Sequence, residues 1–431
     1  HRSTPRGHQG RQDLRGHRTD VQVVHRSPKG QQCQRDMNND DQSAVAPKQS
    51  RGFFQVSLAD LHLIAKRDGG VNEMAAYLVL CSGVNGRHHE RLCTHGALSV
   101  SKRTGMSYRA AEKATEWLLA EGFIRTATPD APGHLGKHAT RSTRVRWVVC
   151  DLAGQADVAI SRQFVDGVKG SHKDSPIKRM LAEITGGEKY TRAQAVMDAM
   201  MTFAALMKEQ DFGDCAGVDP DAWRHAFEPI EPGDGGGVAE HIEPLPGTNG
   251  VVVTVKEAST RWTSWPFIFK ALGEEATDEA QRQLLSARFW HAVDQLRGLR
   301  LIYRVLILWD GNPLDPKQRR KAEPLATHYI NDSWARKIDP HLQYDVHRAI
   351  WRAEPGFAEE DFGGSNAGDI PFVGSGRYRY IVRADQGRKV HLVGQLRVRY
   401  WPANESTVQG RDREAARTAR WSSSISAIGR S

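Results

Sequence analysis

Five side chains of metal-ligating type crowd into fifteen residues: Cys81, His88, His89, Cys93 and His95. Zinc chemistry needs about four such ligands, usually from paired short Cys/His spacings. Eleven residues separate Cys81 from Cys93, no Cys-x-x-Cys occurs, and Cys81 continues the apolar face of a helix. They read as core thiols beside a polar loop, and neither metal nor cofactor is expected. The chain has no Gly-x-x-x-x-Gly-Lys-Ser/Thr to cradle phosphate and no His-x-His pair for a nicking relaxase. No Ser/His/Asp or paired-carboxylate spacing stands out. The expectation is a non-enzymatic protein, although catalytic groups spread over 151–376 could still converge in space.

The remaining chemistry lies in positive charge. The 431 residues carry a formal net charge of +9, unevenly placed. Residues 1–36 contribute +5, 51–150 contribute +6, 151–376 contribute −9, and 377–402 contribute +6. Two basic regions thus flank an acidic middle, an asymmetry that points to nucleic acid. No apolar run approaches the length of a membrane span, and the N-terminus has no apolar signal segment. Five widely spaced cysteines suit reduced thiols in a cytoplasmic protein.

The elements that would position these cations are clearest over 97–149. Ala97–Thr104 supplies a short helix and Gly105 a turn. Ser107 stands where an N-cap belongs, opening a helix over 107–121. Ala111, Ala114 and Leu118 share one face at helical spacing. Tyr108, Arg109, Glu112, Lys113 and Glu116 fall on the outer face, and Gly122-Phe123-Ile124 leads into a strand. Pro129, Pro132 and Gly133 mark a turn before the alternating run Arg144–Val149.

The run Leu98…Thr104-Gly105-Met106-Ser107-Tyr108-Arg109…Ala114…Trp117-Leu118…Gly122-Phe123-Ile124 resembles the winged helix-turn-helix of bacterial and phage regulators and replication initiators. The resemblance covers about residues 55–150. It implies that the second helix reads base edges of duplex DNA and that a β-hairpin, the wing, touches phosphate or the minor groove. Tyr108, Arg109, Glu112 and Lys113 become the base-contact residues and Ser107 a backbone contact, with Lys102 and Arg103 on the preceding helix. Lys137, Arg141, Arg144 and Arg146 become wing residues. Glu112 and Glu116 depart from a basic surface, and the wing is long and irregular.

An α+β, helix-rich chain is expected, with this N-terminal unit over 51–150 and an acidic helical connector over 176–232. Thr191–Gln194 is a capping box there. A second α+β unit over 250–345 repeats the order helix, strand, turn, strand, with a helix at Ser286–Arg297, a strand at Leu301–Trp309, and Lys317, Arg319, Arg320 and Lys321 in the wing position. An ordinary α+β packing domain is the alternative. Residues 377–402 read as a basic hairpin about Asp385-Gln386-Gly387, where Arg377, Arg379, Arg397 and Arg399 beside Tyr378, Tyr380, Tyr400 and Trp401 suit a second nucleic-acid surface. A solvated edge hairpin is the alternative.

Residues 403–431 are expected to be disordered, as is the leader over 1–50, where Met37 is the expected native start and a basic arm the alternative. The partners expected are duplex DNA, a second copy in a homodimer, and replication or transcription machinery, with no membrane. A replication initiator leads. A transcription regulator, with 151–376 as dimer or effector region, and an interaction scaffold docking through the winged helix are the other readings.

Overall fold

Short-range signals account for the first elements. Strand β1 (Phe53–Val56) alternates exposed and buried side chains and ends at Ser57. The Ser57 hydroxyl accepts from the Asp60 amide at 3.1 Å and caps α1 (Leu58–Lys66). Helix α2 (Val71–Ser82) is buried at every residue from Met74 to Ser82, the mark of a core helix. Then come β2 (Leu92–Cys93), α3 (Ala97–Thr104), α4 (Tyr108–Ala120), β3 (Ile124–Thr126), β4 (Trp147–Val149), β5 (Val158–Ser161), α5 (Gln163–Asp166), α6 (Pro176–Glu183) and α7 (Arg192–Glu209).

The second half is richer in strand: β6 (Gln210–Asp211), β7 (Gly217–Val218), β8 (Arg224–Pro229), β9 (Ile242–Pro244) and β10 (Gly250–Trp262). Helices α8 (Trp265–Leu272) and α9 (Glu279–Gly298) follow. They lead to β11 (Ile302–Asp310), β12 (Glu323–Tyr329), β13 (Ile350–Arg352), β14 (Arg377–Arg383), β15 (Val390–Val398) and α10 (Glu405–Ile428). The computed structural model describes residues 52–84, 91–127, 147–167, 175–213, 217–229, 242–244, 247–315, 317–329, 350–352, 377–386, 389–402 and 405–428. The leader therefore lies outside the described residues, as do His88, His89, most of the wing, and the glycine runs 233–237 and 363–376.

The chain is mixed α+β. Strand β1 pairs with β5, and β6 with β7. Three strands pair in the order β2-β4-β3, and the largest sheet runs β12-β11-β15-β8-β10-β14-β13 with β9 against β10. Every pairing among the described strands is antiparallel. Strand β11 is apolar apart from Arg304 and the terminal Asp310, because both its faces are covered. Leu306 and Leu308 join one buried cluster, and Tyr303, Val305, Ile307 and Trp309 another. One apolar core runs from Phe54 to Trp401, taking in α2, α4, α7 and α9. No helix among the described residues is long and apolar enough to cross a membrane.

Three sequence expectations are corrected. Residues 377–402 do not form a hairpin, because β14 lies between β10 and β13 while β15 lies between β11 and β8. Alternation identifies both strands but not their neighbours, and β11 offers β15 an unbroken nine-residue register from Ile302↔Val398 to Asp310↔Val390. The helical connector ends at Glu209, and strands β6 to β8 follow. The tail is ordered over 405–428 as α10, which packs on β12 and β14. Its attachment is polar: Glu414, 2% exposed, accepts from Arg397 at 2.8 and 3.3 Å, so the helix carries no broad apolar stripe to announce it.

Candidate nucleic-acid interface

Helices α3 and α4 meet through a turn that their residues specify. Gly105 closes α3 at φ +78°, and its amide donates to the Ser101 carbonyl at 2.9 Å. Only glycine takes that backbone region without strain. The Ser101 hydroxyl donates to the Met106 carbonyl at 2.8 Å, and Thr104 Oγ1 to the Val100 carbonyl at 2.7 Å. Ser107 is extended, and its hydroxyl accepts from the Ala110 amide at 3.2 Å. The cap forms as the sequence predicts, and the leading amides of α4 point outward with the positive end of the helix dipole.

Helix α4 buries Ala111, Ala114, Thr115 and Leu118 against α2 and α3. Thr115 joins this face because its hydroxyl donates back to the Ala111 carbonyl at 2.7 Å. Trp117 stacks on Phe123 with ring centroids 5.8 Å apart, and Phe123 meets Tyr77 edge-on. The opposite face presents Ser107, Tyr108, Arg109, Glu112, Lys113 and Glu116, all exposed, with Lys102 exposed on α3. The structure thus brings Lys102, Ser107, Tyr108, Arg109, Glu112 and Lys113 onto one helix pair.

Arg103 is corrected. Its Nε lies 2.7 Å from the Asp166 carboxylate, and its side chain is only 16% exposed. The Ser175 hydroxyl donates to its carbonyl at 3.0 Å. Arg103 therefore fastens α3 to the α5–α6 region rather than facing a ligand. Strands β3 and β4 pair antiparallel from Ile124↔Val149 to Thr126↔Trp147. The wing residues Lys137, Arg141, Arg144 and Arg146 lie outside the described residues.

The platform under the helix pair is pinned by buried polar groups. Asp60 accepts from Tyr77 Oη at 2.8 Å and from the Ala153 amide at 2.7 Å, joining α1, α2 and the segment after β4. Burial raises its carboxyl above the usual range despite those bonds. Cys81 and Cys93 are buried, and burial pushes their thiols up to about 11 and about 12. Cys93 Sγ donates to the Leu80 carbonyl at 3.0 Å, and His95 Nδ1 lies 3.0 Å from the Val79 carbonyl. These residues satisfy the C-terminal carbonyls of α2. Among the described residues no group of three His, Cys, Asp or Glu side chains could hold a metal ion.

The other basic residues divide. Lys317, Arg320 and Lys321 are exposed on the loop between β11 and β12, while Arg319 is bound to the Asp221 carboxylate. Arg377 and Arg379 stand on β14 opposite Lys256 and Thr254. Arg397 is corrected from surface to interior, fully buried in its pair with Glu414. Arg399 is half-buried beside the Tyr400 ring, 5.1 Å from its centroid, and burial lowers its pKa. No accessible surface can be built from those last two.

Sequence reasoning missed a second helix pair. Helix α9 starts at Glu279, well before Ser286, behind α8 and Gly273 at φ +70°. Ser264 before Trp265-Pro266 and Asp278 before Glu279 are ordinary cap signals that mark both starts. It also missed the exposed indoles of Trp262 and Trp265 beside that start. No family model matches the chain, nor does any curated protein or solved structure.

Proposed function

We propose that α3 and α4 are the helix-turn-helix of a winged-helix unit that sets α4 in the major groove of duplex DNA, in a replication-initiator-like factor of a bacterial plasmid, phage or mobile element. The carrying observation is the outer face of α4. Tyr108, Arg109, Glu112 and Lys113 project from the first turns of a capped helix whose other face is fully packed. A rigid helix with a guanidinium, an ammonium, a phenol and a carboxylate near its N-terminus has the donors and acceptors that base edges demand.

The element order α2-β2-α3-α4-β3-β4 and the strand order β2-β4-β3 support the winged-helix reading. In this reading Arg109 and Lys113 address guanine or phosphate, Glu112 accepts from a cytosine amino group, and Ser107 and the free amides beside it address phosphate. The later order α8-α9-β11-β12 favours a two-unit initiator over a regulator with a separate effector domain.

Footprinting the full chain on the DNA flanking its own gene tests the reading. Repeated protected sites at an origin support an initiator, and one site at a promoter supports a regulator. Arg109→Ala and Lys113→Ala should each weaken binding to the protected duplex by about 10-fold or more, and the double variant by more than either. The circular dichroism spectrum should not change, since both side chains are exposed. Undiminished binding by the double variant would overturn the assignment of α4.

A further inference from the structure

Three segments distant in sequence are locked together on the second half of the molecule: the turn 219–224, the junction 261–265 between β10 and α8, and the loop 311–322 between β11 and β12. Thr263 Oγ1 donates to the Ala222 carbonyl, joining the first two. Arg319 forks onto the Asp221 carboxylate, with Nη2 2.6 Å from Oδ1, and its Nε donates to the Pro313 carbonyl at 3.0 Å. Arg224, the cross-strand partner of Trp262, lays its guanidinium 3.8 Å from the centroid of that indole. An Arg so placed stiffens the ring and leaves its remaining surface for a ligand.

Two large aromatic side chains stay in solvent on this framework. Trp262 is 39% exposed and Trp265 40%. Only two residues separate them, so their Cα atoms lie within about 11 Å. Lys317, Arg320 and Lys321 project from the loop that Arg319 anchors, all exposed, and no ion pair holds them among the described residues. The acidic side chains of these segments are Asp219, Asp221 and Asp315. Asp221 lies between Arg319 and Arg224, the latter at 3.5 Å, Asp219 accepts from the Asp221 amide, and Asp315 accepts from the Lys317 amide and the Gln318 side chain.

We propose that this surface binds an unpaired nucleic-acid strand, with bases stacked on Trp262 and Trp265 and phosphates running past Lys317, Arg320 and Lys321. Stacking needs an open base face, which a duplex covers with the neighbouring pair and a single strand supplies at every nucleotide. The charge argues for a polyanion over a protein partner, because protein interfaces are depleted of Lys. The surface shares no residue with α4, so it stands or falls independently of duplex recognition there.

The test is fluorescence anisotropy of the full chain with labelled oligothymidylate and oligouridylate of about 20 nucleotides. A mixed-sequence duplex serves as control, and the two single strands distinguish DNA from RNA. Trp262→Ala and Trp265→Ala should each weaken single-strand binding by about 5- to 100-fold, while Trp262→Phe keeps most of it. Lys317→Ala with Lys321→Ala should lower the slope of log affinity against log salt by about 0.7 per cation. Circular dichroism establishes that each variant is folded. The proposal is overturned if the wild-type chain binds neither single strand, or if the folded Trp262→Ala–Trp265→Ala variant binds as tightly as wild type.

Discussion

The α3–α4 and α8–α9 pairs are built alike and charged differently. Each turns on a glycine in the left-handed region, Gly105 at φ +78° and Gly273 at φ +70°. Each second helix is capped by a side chain accepting from the amide three residues on, Ser107 from Ala110 and Asp278 from Gln281. Each packs against a buried helix, α2 or α7, and leads into an antiparallel pair of strands. Around the first turn stand Lys102, Tyr108, Arg109 and Lys113. Around the second stand Glu274, Glu275, Asp278 and Glu279. Local backbone architecture is thus set by caps and glycine, while the partner is set by charges that the architecture leaves free to vary.

The acidic turn also has an internal job. Glu274 lies 2.8 Å from Arg288, whose guanidinium takes Asp198 of α7 with bonds of 2.7 and 2.8 Å. Asp198 is 1% exposed and Arg288 7%. In α9, then, an arginine holds the helix to the core, whereas Arg109 in α4 faces solvent. Arg288→Ala should destabilise the fold by about 3–5 kcal/mol, because it strands a buried carboxylate. Arg109→Ala should change stability by no more than about 0.5 kcal/mol. Urea denaturation of the two variants measures the contrast, and equal losses would erase the distinction between the helices.

The caps sharpen the comparison at a smaller scale. Ser107→Ala and Asp278→Ala should each cost about 1 kcal/mol of stability, read from urea midpoints. Only Ser107→Ala should also weaken duplex binding, since only α4 is assigned to DNA. A loss of duplex affinity in Asp278→Ala equal to that in Ser107→Ala would move the interface to both pairs.

The smallest effect is on pH. Burial holds the imidazoles of His62, which packs against Gly273, and His95, beneath α3, below the ordinary histidine value of 6.5. For His95 the nearby Arg103 lowers it further. Below 6.5 the unfolded chain takes up protons that the folded chain refuses. This contribution to stability is therefore complete above 6.5 and is lost as pH falls through the folded values. The stability measured in urea should fall as pH is lowered below about 6.5, by no more than about 1.4 kcal/mol per pH unit for each imidazole. A His95→Gln variant should show a shallower decline, and an unchanged slope would remove His95 from the account.

Much of the candidate interface is legible in the sequence because it is local. The Ser107 cap, the Gly105 turn and the spacing of Ala111, Ala114 and Leu118 act within a few residues, and α3 and α4 form where they predict. The second pair was legible only in part. Phe289, Val293 and Leu296 are buried as their spacing requires, but the polar first turns of α9 carry no apolar period, so its start was missed. Tail helix α10 escaped for a related reason, since it is held by the buried Arg397–Glu414 pair rather than by an apolar stripe.

What the sequence determined by itself, then, is the caps, the glycine turn and the inward faces of α3 and α4, the segments that become β11, β14 and β15, and the acidic middle between basic regions. Tertiary structure alone decided which strand lies beside which, separating β14 from β15. It also decided the fate of individual arginines. Arg109 remains on a surface, Arg103, Arg288 and Arg319 are tied to carboxylates far away in the chain, and Arg397 is buried outright. Periodicity and caps report forces acting over a few residues. The burial of a charge depends on a partner that only the folded chain brings within hydrogen-bonding distance.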